Sequence, residues 1–265
     1  MALSSEHRAR KRFGQNFLVD QGIIDKIVRS IHPSKDDTLV EIGPGQGALT
    51  EPLLSSCPDL NVVEIDRDLV KLLEQQFSSH TGLIIHQADA LKFDFSSLAD
   101  DEKKLRIVGN LPYNISTPLI FHLLSFGPLI QDMHFMLQKE VVERMGAKEN
   151  SRDFGRLSIM CQYHCLVEPL FLVPRHAFSP APKVESAIVR LTPRENPITR
   201  ANDLQLFDKV VRTAFQQRRK TLRNTLKPLI EQSDLLQQLN INPQDRPENI
   251  PLRDYVRISN ALGDS

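Results

Sequence analysis

Val40-Glu41-Ile42-Gly43-Pro44-Gly45-Gln46-Gly47 decides the fold. Its first three residues, with Thr38 and Leu39, form the short apolar run of a buried strand, and the rest is a glycine-rich turn. Small residues at a strand-to-helix turn let the backbone pass close to a ligand, where side chains would be excluded. A carboxylate, Glu64, follows about 20 residues beyond Gly43, at the end of a second strand pattern over residues 61–65. Placed there it can accept two ribose hydroxyls. Gly43, Gly45 and Ala48 also satisfy the G-x-G-x-x-A form of the dinucleotide fingerprint, so the loop alone does not choose between NAD and S-adenosylmethionine.

Outward from this loop, short apolar strands alternate with helical patterns. Upstream, Ile23, Ile24, Ile27, Val28 and Ile31 recur at helical spacing behind Asp20, a good N-cap, and Pro33 follows the stop. Downstream, Val70, Leu73 and Phe77 mark a helix, and strand patterns cover residues 82–86, 105–108 and 133–137. A helical stretch over 157–163 leads to two more strands near 167–173 and 184–191. This alternation predicts an α/β fold, a mostly parallel doubly wound sheet. After residues 193–197 the strand patterns vanish, and Leu204, Phe207, Val211 and Phe215 take over at helical spacing. The expected division is therefore 1–193 for the sheet domain and 194–265 for a small all-helical one.

The chain has 265 residues, of which 40% are hydrophobic and 25% charged, the profile of a globular protein with ample core material. No apolar run reaches the roughly 18 residues of a membrane span; the best candidate, 118–130, is interrupted by His122 and Pro128. Charged N-terminal residues with no apolar stretch behind them exclude a secretory signal, and three cysteines make no disulfide framework. A cytoplasmic protein, monomeric by default, is expected. The net charge is zero, but its distribution is uneven. Arg8, Arg10, Lys11 and Arg12 form one acid-free basic cluster, and Arg212, Arg218, Arg219, Lys220, Arg223 and Lys227 form another. A neutral protein so built can hold a polyanion on one face. On a continuous helix Arg212, Arg219, Lys220, Arg223 and Lys227 would share a roughly 100° arc.

Asp89 follows the third sheet strand and Asn110-Leu111-Pro112-Tyr113 the fourth. In a doubly wound sheet Gly43, Glu64, Asp89 and Asn110 all fall at the carboxyl ends of strands, where ligands collect. An acid at position 89 can accept from an adenine amino group. The tetrapeptide is more specific. An exocyclic aromatic amine is a poor nucleophile because its lone pair is delocalised into the ring. The Asn110 amide oxygen and the Leu111 carbonyl can accept its two protons and pull the nitrogen toward tetrahedral geometry. Pro112 fixes the backbone that carries that carbonyl, and Tyr113 offers a flat face for the base.

These stretches, with Gly14-Gln15-Asn16-Phe17-Leu18, Glu64-Ile65-Asp66, Phe178-Ser179-Pro180-Ala181-Pro182-Lys183-Val184-Glu185-Ser186, Arg218-Arg219-Lys220-Thr221-Leu222 and Arg246-Pro247-Glu248-Asn249, resemble the rRNA adenine dimethylase family. Within it the likeness is to the bacterial small-subunit, kasugamycin-resistance methyltransferases, nearly end to end and with no departure at a functional position. The resemblance implies a class I methyltransferase fold, S-adenosylmethionine as cofactor, and dimethylation of two adjacent adenosines near the 3′ end of 16S rRNA in the small ribosomal subunit. It implies cofactor contacts at Asn16, Leu18, Gly43, Gly45, Glu64, Asp89 and Asn110. The target adenine would be received by Asn110, Leu111, Pro112 and Tyr113, with Phe178 as a second stacking surface.

Three other readings stand beside it. The large-subunit enzyme of the same family shares the asparagine motif but lacks the Arg-Arg-Lys-Thr-Leu and Arg-Pro-Glu segments. A non-catalytic ribosome-assembly factor would not need Gly43, Glu64 and Asn110 together. An NAD oxidoreductase leaves Asn110 to Tyr113 unexplained. Cys161, His164 and Cys165 offer no paired metal-ligand spacing, and two cysteines four residues apart on a helix are expected to pack in a core rather than bind metal.

Overall fold

The computed structural model describes residues 16–100, 103–197, 199–230 and 234–263. In chain order its elements are β1 (Phe17–Leu18), α1 (Gln21–Ile31), β2 (Thr38–Ile42), α2 (Thr50–Ser56), β3 (Leu60–Glu64), α3 (Arg67–Gln76), β4 (Leu83–Gln87), β5 (Leu105–Asn110), α4 (Ser116–Leu124), β6 (Ile130–Gln138) and α5 (Lys139–Met145). There follow α6 (Arg156–His164), β7 (Cys165–Val173), β8 (Phe178–Ser179), β9 (Ser186–Pro193), α7 (Leu204–Phe215), α8 (Leu222–Leu226), α9 (Leu235–Gln238) and α10 (Leu252–Gly263). Local chemistry sets the ends of several. The Asp20 carboxylate accepts from the Ile23 N–H to start α1, and His32 in the left-handed region stops it before Pro33. Asp66 caps α3 by accepting from the Asp68 N–H.

Two compact units share the chain: Met1–Val142 with Glu168–Pro193, and Glu143–Val167 with Arg194–Ser265. The single cut expected near residue 193 is therefore one of three. Residues 143–167, assigned from sequence to the sheet domain, group with the C-terminal helices, because α6 packs on α7. A linear reading cannot see such a return of the chain.

The first unit is built on a seven-stranded sheet in the order β4-β3-β2-β5-β6-β9-β7. Strands β4 to β6 of this order are parallel, and β9 is antiparallel to β6. Of the parallel strands β2, β3, β5 and β6 are mostly buried, as strands covered on both faces must be, whereas the edge strand β4 has no buried residue and leaves Ile84 exposed. The order reverses between β2 and β5, where Ile42 pairs with Gly109, so the crevice opens beyond those two carboxyl ends. A separate two-stranded pairing joins β1 to β8, Leu18 opposite Phe178.

Burial has left an imidazole inside this sheet. His134 on β6 is 3% exposed, and desolvation pushes its pKa down to about 4 despite Asp132 nearby. The unfolded chain takes up a proton near pH 6.5 that the folded one refuses, so stability falls as the pH drops from 6.5 toward 4. Between pH 7 and pH 5 this should cost about 2 kcal/mol. Urea unfolding at both values should show a smaller acid loss in His134→Phe than in the parent. Identical losses would remove His134 from the acid response.

In the second unit, α7, α8 and α10 pack together with α6 against α7. Its core is aromatic: Tyr163 stacks beside Phe207, and Phe215 lies between Phe154 and Tyr255. Two sequence expectations fail here. Residues 212–227 are not one helix, because α7 ends at Phe215 and Thr221 is extended before α8. The first N–H groups of α8 go to tertiary acceptors, Leu222 to the Asp245 carbonyl at 2.7 Å and Arg223 to that of Pro243 at 3.1 Å. The 100° basic arc therefore does not exist as drawn. Cys165 likewise lies on β7, not on a helix with Cys161; both thiols are buried, which pushes the Cys165 pKa up to about 12. Among the described residues no cluster of three or more His, Cys, Asp or Glu side chains is placed to hold a metal, and no helix is long and apolar enough to cross a membrane.

Candidate active site

At the crevice a cavity of about 260 Å³ is lined by residues from β1, the glycine loop, and the ends of β3, β4 and β5. Asn16, Leu18, Gly43, Gly45, Glu64, Asp89, Asn110, Leu111, Pro112 and Tyr113 all line it. The loop owes its glycines partly to its own backbone: Gly43, Gly45 and Gly47 have φ of 67, 60 and 85°, where other residues are strained. A Cβ on Gly47 would also stand 2.8 Å from the Phe77 ring, so packing as well as ligand access excludes a side chain there.

Asn110 ends β5. Its Nδ2 donates to the Asn16 carbonyl at 3.2 Å, which orients the amide and leaves Oδ1 as the acceptor that the site can use. That carbonyl is positioned because β1 is paired to β8. The next residue is tied down as well, Leu111 N–H donating to the Met136 carbonyl at 3.2 Å. Residues 112–115 then turn, with Ile115 N–H on the Pro112 carbonyl, and lead into α4. The Tyr113 hydroxyl lies 2.8 Å from Ser186 Oγ, which anchors the phenol while the ring stays half-buried at the cavity.

Three carboxylates line the same space. Glu64 is 6% exposed; its Oε1 accepts from the Asp66 N–H at 2.8 Å. Burial raises its pKa, and the N–H groups of Asp66, Gly45 and Ile65 offset part of that. Asp89 Oδ1 accepts from the Leu91 N–H at 3.0 Å, an Asx turn that fixes the side chain. Glu41, read in the sequence only as part of a strand, is 1% exposed and also lines the cavity. Burial pushes its pKa up to about 7; the Thr50 hydroxyl, 2.7 Å from Oε2, lowers it and Glu64 raises it. A carboxylate inside an otherwise apolar strand was the signal that could have singled it out. Ile65, half exposed beside Glu64, adds an apolar surface where a flat ring can lie. Buried carboxylates for hydroxyls, an acid for an amino group and an apolar face together suit a nucleoside.

Phe178 is placed elsewhere. It does not line the cavity; its side chain is 4% exposed in a core cluster with Leu18, Ile24 and Ile27. The expected second stacking surface is thus a buried residue of β8, whose pairing holds β1. Of the basic residues, Arg8, Arg10, Lys11 and Arg12 lie outside the described residues. Arg212, Arg219, Lys220, Arg223 and Lys227 are exposed on the second unit. Arg218 is exposed but engaged, Nη2 donating to the carbonyls of Arg152 and Phe154 at 2.7 and 2.9 Å.

The sheet order and this site define a Rossmann-like methyltransferase. The fold is shared with a dimethyladenosine transferase from Plasmodium falciparum, with a TM-score of 0.79 and 28% identity over 93% of this chain and 98% of that one. The 23S rRNA methyltransferase ErmE gives a TM-score of 0.68 at 25% identity, over 94% of this chain and all of that one. The family model for ribosomal RNA adenine dimethylase matches residues 6–264, and the chain belongs to that family. It is 62% identical to the ribosomal RNA small subunit methyltransferase A of Saccharophagus degradans, over 97% of this chain and 95% of that protein. Against the protein of the same name from Pseudomonas aeruginosa it is 59% identical, over 98% of this chain and 96% of the other. The protein is an rRNA adenine dimethyltransferase.

Proposed function

We propose that the protein uses S-adenosylmethionine to dimethylate N6 of two adjacent adenosines near the 3′ end of 16S rRNA, in the cytoplasm, during small-subunit biogenesis. The observation that supports this best is Asn110, its amide oriented by Asn16 at the rim of a nucleoside-sized cavity and followed by Leu111, Pro112 and Tyr113. The relatives named for the small subunit favour its RNA over that of the large one.

Bound S-adenosylmethionine supplies an electrophilic methyl group on sulfur. Glu64 would hold its ribose hydroxyls, Asp89, with Oδ1 occupied by the Leu91 N–H, would offer Oδ2 to the adenine amino group, and Ile65 would give the ring an apolar face. Asn110 Oδ1 and the Leu111 carbonyl would accept hydrogen bonds from the two N–H groups of the target amine, localising its lone pair on nitrogen for attack on that methyl group. Tyr113 stacks on the target base. The amine proton leaves to solvent, so no histidine is needed as a base. Arg212, Arg219, Lys220, Arg223 and Lys227 bind RNA phosphates together with the arm residues Arg8, Arg10, Lys11 and Arg12. Arg218 instead holds the 152–154 backbone.

Calorimetric titration with S-adenosylmethionine and NAD tests the cofactor. The first should bind and the second should not; tight NAD binding would overturn the reading. Glu64→Ala loses two charge-assisted hydrogen bonds of about 1.5–3 kcal/mol each, so affinity should fall at least about tenfold while the fold survives. Equal affinity in mutant and parent would remove Glu64 from the site.

A further inference from the structure

The mechanism gives no task to residues 182–186. Ser186 Oγ, 2.8 Å from the Tyr113 hydroxyl, places the end of this segment beside the target side of the cavity. The segment is held at three points. Arg175 Nε donates to the Pro182 carbonyl at 2.9 Å, the Lys139 N–H donates to the Glu185 carbonyl at 3.0 Å, and the fully buried Ser186 pairs with Gln138 at the end of β6. Its one acid, Glu185, is taken up by Lys139 Nζ at 3.5 Å. Between these anchors Lys183 and Val184 face solvent, Val184 at 44% exposure, and Lys183 has no ion pair with a described residue. Arg175, itself exposed, adds a second positive charge. A single exposed valine is ordinary. This one stands two residues from the contact with Tyr113, next to an uncompensated cation, on backbone tied down on both sides.

We propose that Lys183 and Val184 form a subsite for the nucleotide next to the target adenosine, the Lys183 ammonium taking the phosphate that joins the two and Val184 covering the neighbour's base. The inference rests on the RNA reading above. Turning an adenine out of its strand costs its stacking on that neighbour. An apolar side chain at the neighbour's place restores part of the contact, and a fixed cation neutralises the phosphate where the strand bends. An apolar contact asks for the face of a base and not for its hydrogen-bonding edge, so it tolerates any occupant. With two adjacent adenosines to modify, the subsite holds one of them in one register and a flanking nucleotide in the other.

The test measures binding of the full-length parent, Lys183→Ala and Val184→Asp to unmethylated small subunits over a range of salt concentrations. Lys183→Ala should reduce the slope of log affinity against log salt by about 1. Val184→Asp sets an anion beside the phosphate and should weaken subunit binding by about tenfold or more. Both side chains are exposed, so both variants should bind S-adenosylmethionine and unfold in urea as the parent does. With p-benzoylphenylalanine at position 184, light should crosslink the protein to 16S rRNA at nucleotides flanking the two adenosines. A parental salt slope in Lys183→Ala, parental subunit affinity in Val184→Asp, or crosslinks only to rRNA remote from the two adenosines would overturn the proposal. So would a loss of subunit binding matched by a loss of cofactor affinity or stability, which would make the segment a support of the fold alone. Failure of the parent itself to bind or methylate small subunits would instead remove the RNA reading beneath it.

Discussion

Asn110→Ala should slow methyl transfer by about 10²–10³ while leaving RNA affinity near the parental value. On the proposed mechanism Asn110 polarises the target amine and holds it in line with the methyl–sulfur bond, and both effects exist mainly in the transition state. A loss in rate without a matching loss in binding is therefore the signature, by analogy with removal of one oxyanion-hole donor. Tyr113→Ala should divide its damage between affinity and rate, because stacking worth about 1–3 kcal/mol is already made in the ground state. Tyr113→Phe keeps the ring and gives up the contact with Ser186, so it should be mild. Single-turnover transfer onto unmethylated small subunits, with binding measured separately, distinguishes these. A parental rate in Asn110→Ala would end the polarising role, and equal damage from the Phe and Ala replacements of Tyr113 would end the stacking one.

Arg106→Leu should lower stability by about 3–5 kcal/mol without touching the chemistry. The guanidinium is 7% exposed on β5, at the strand end opposite Asn110. It binds Asp132 through Nε and Nη2 at 3.0 and 2.9 Å, Asp37 at 2.7 Å, and the carbonyls of Ile31 and His32 at 2.6 and 3.2 Å. It thereby ties the end of α1 and the start of β2 to the centre of the sheet. Its loss strands two carboxylates and two carbonyls at once, which is why the cost exceeds that of a surface pair. Urea unfolding measures it. A loss below about 1 kcal/mol would mean that water replaces the arginine with little penalty. Cofactor affinity of the folded fraction should be unchanged.

Much of this was legible before any coordinates. The pattern of the apolar residues located every strand of the large sheet to within a few residues, and for β2, β3 and β5 the reason is that a strand buried on both faces can hardly be written otherwise. Asp20 announced its helix because capping is local chemistry. Gly43, Glu64, Asp89 and Asn110 could be placed on one crevice because a parallel sheet puts its strand ends together. What escaped was set by tertiary contact. Phe178 sits in a motif, yet its ring turned into the core once β8 paired with β1. The 212–227 segment has a helical pattern throughout, but the carbonyls of Pro243 and Asp245 captured its N–H groups and broke it. Arg106 read as an ordinary strand residue, since nothing local says that it will bridge two aspartates, whereas Glu41, a carboxylate in an otherwise apolar strand, carried a signal that went unused. The Gly47 position was attributed to ligand access, whereas the Phe77 ring also demands it.

The most direct test is nucleotide-resolution mapping of methyl groups after the purified protein and S-adenosylmethionine have acted on ribosomal subunits lacking this modification. The account predicts dimethylation of two adjacent adenosines near the 3′ end of 16S rRNA in small subunits, with none in large ones. Methyl groups on 23S rRNA, on bases other than adenine, or on neither subunit would contradict it.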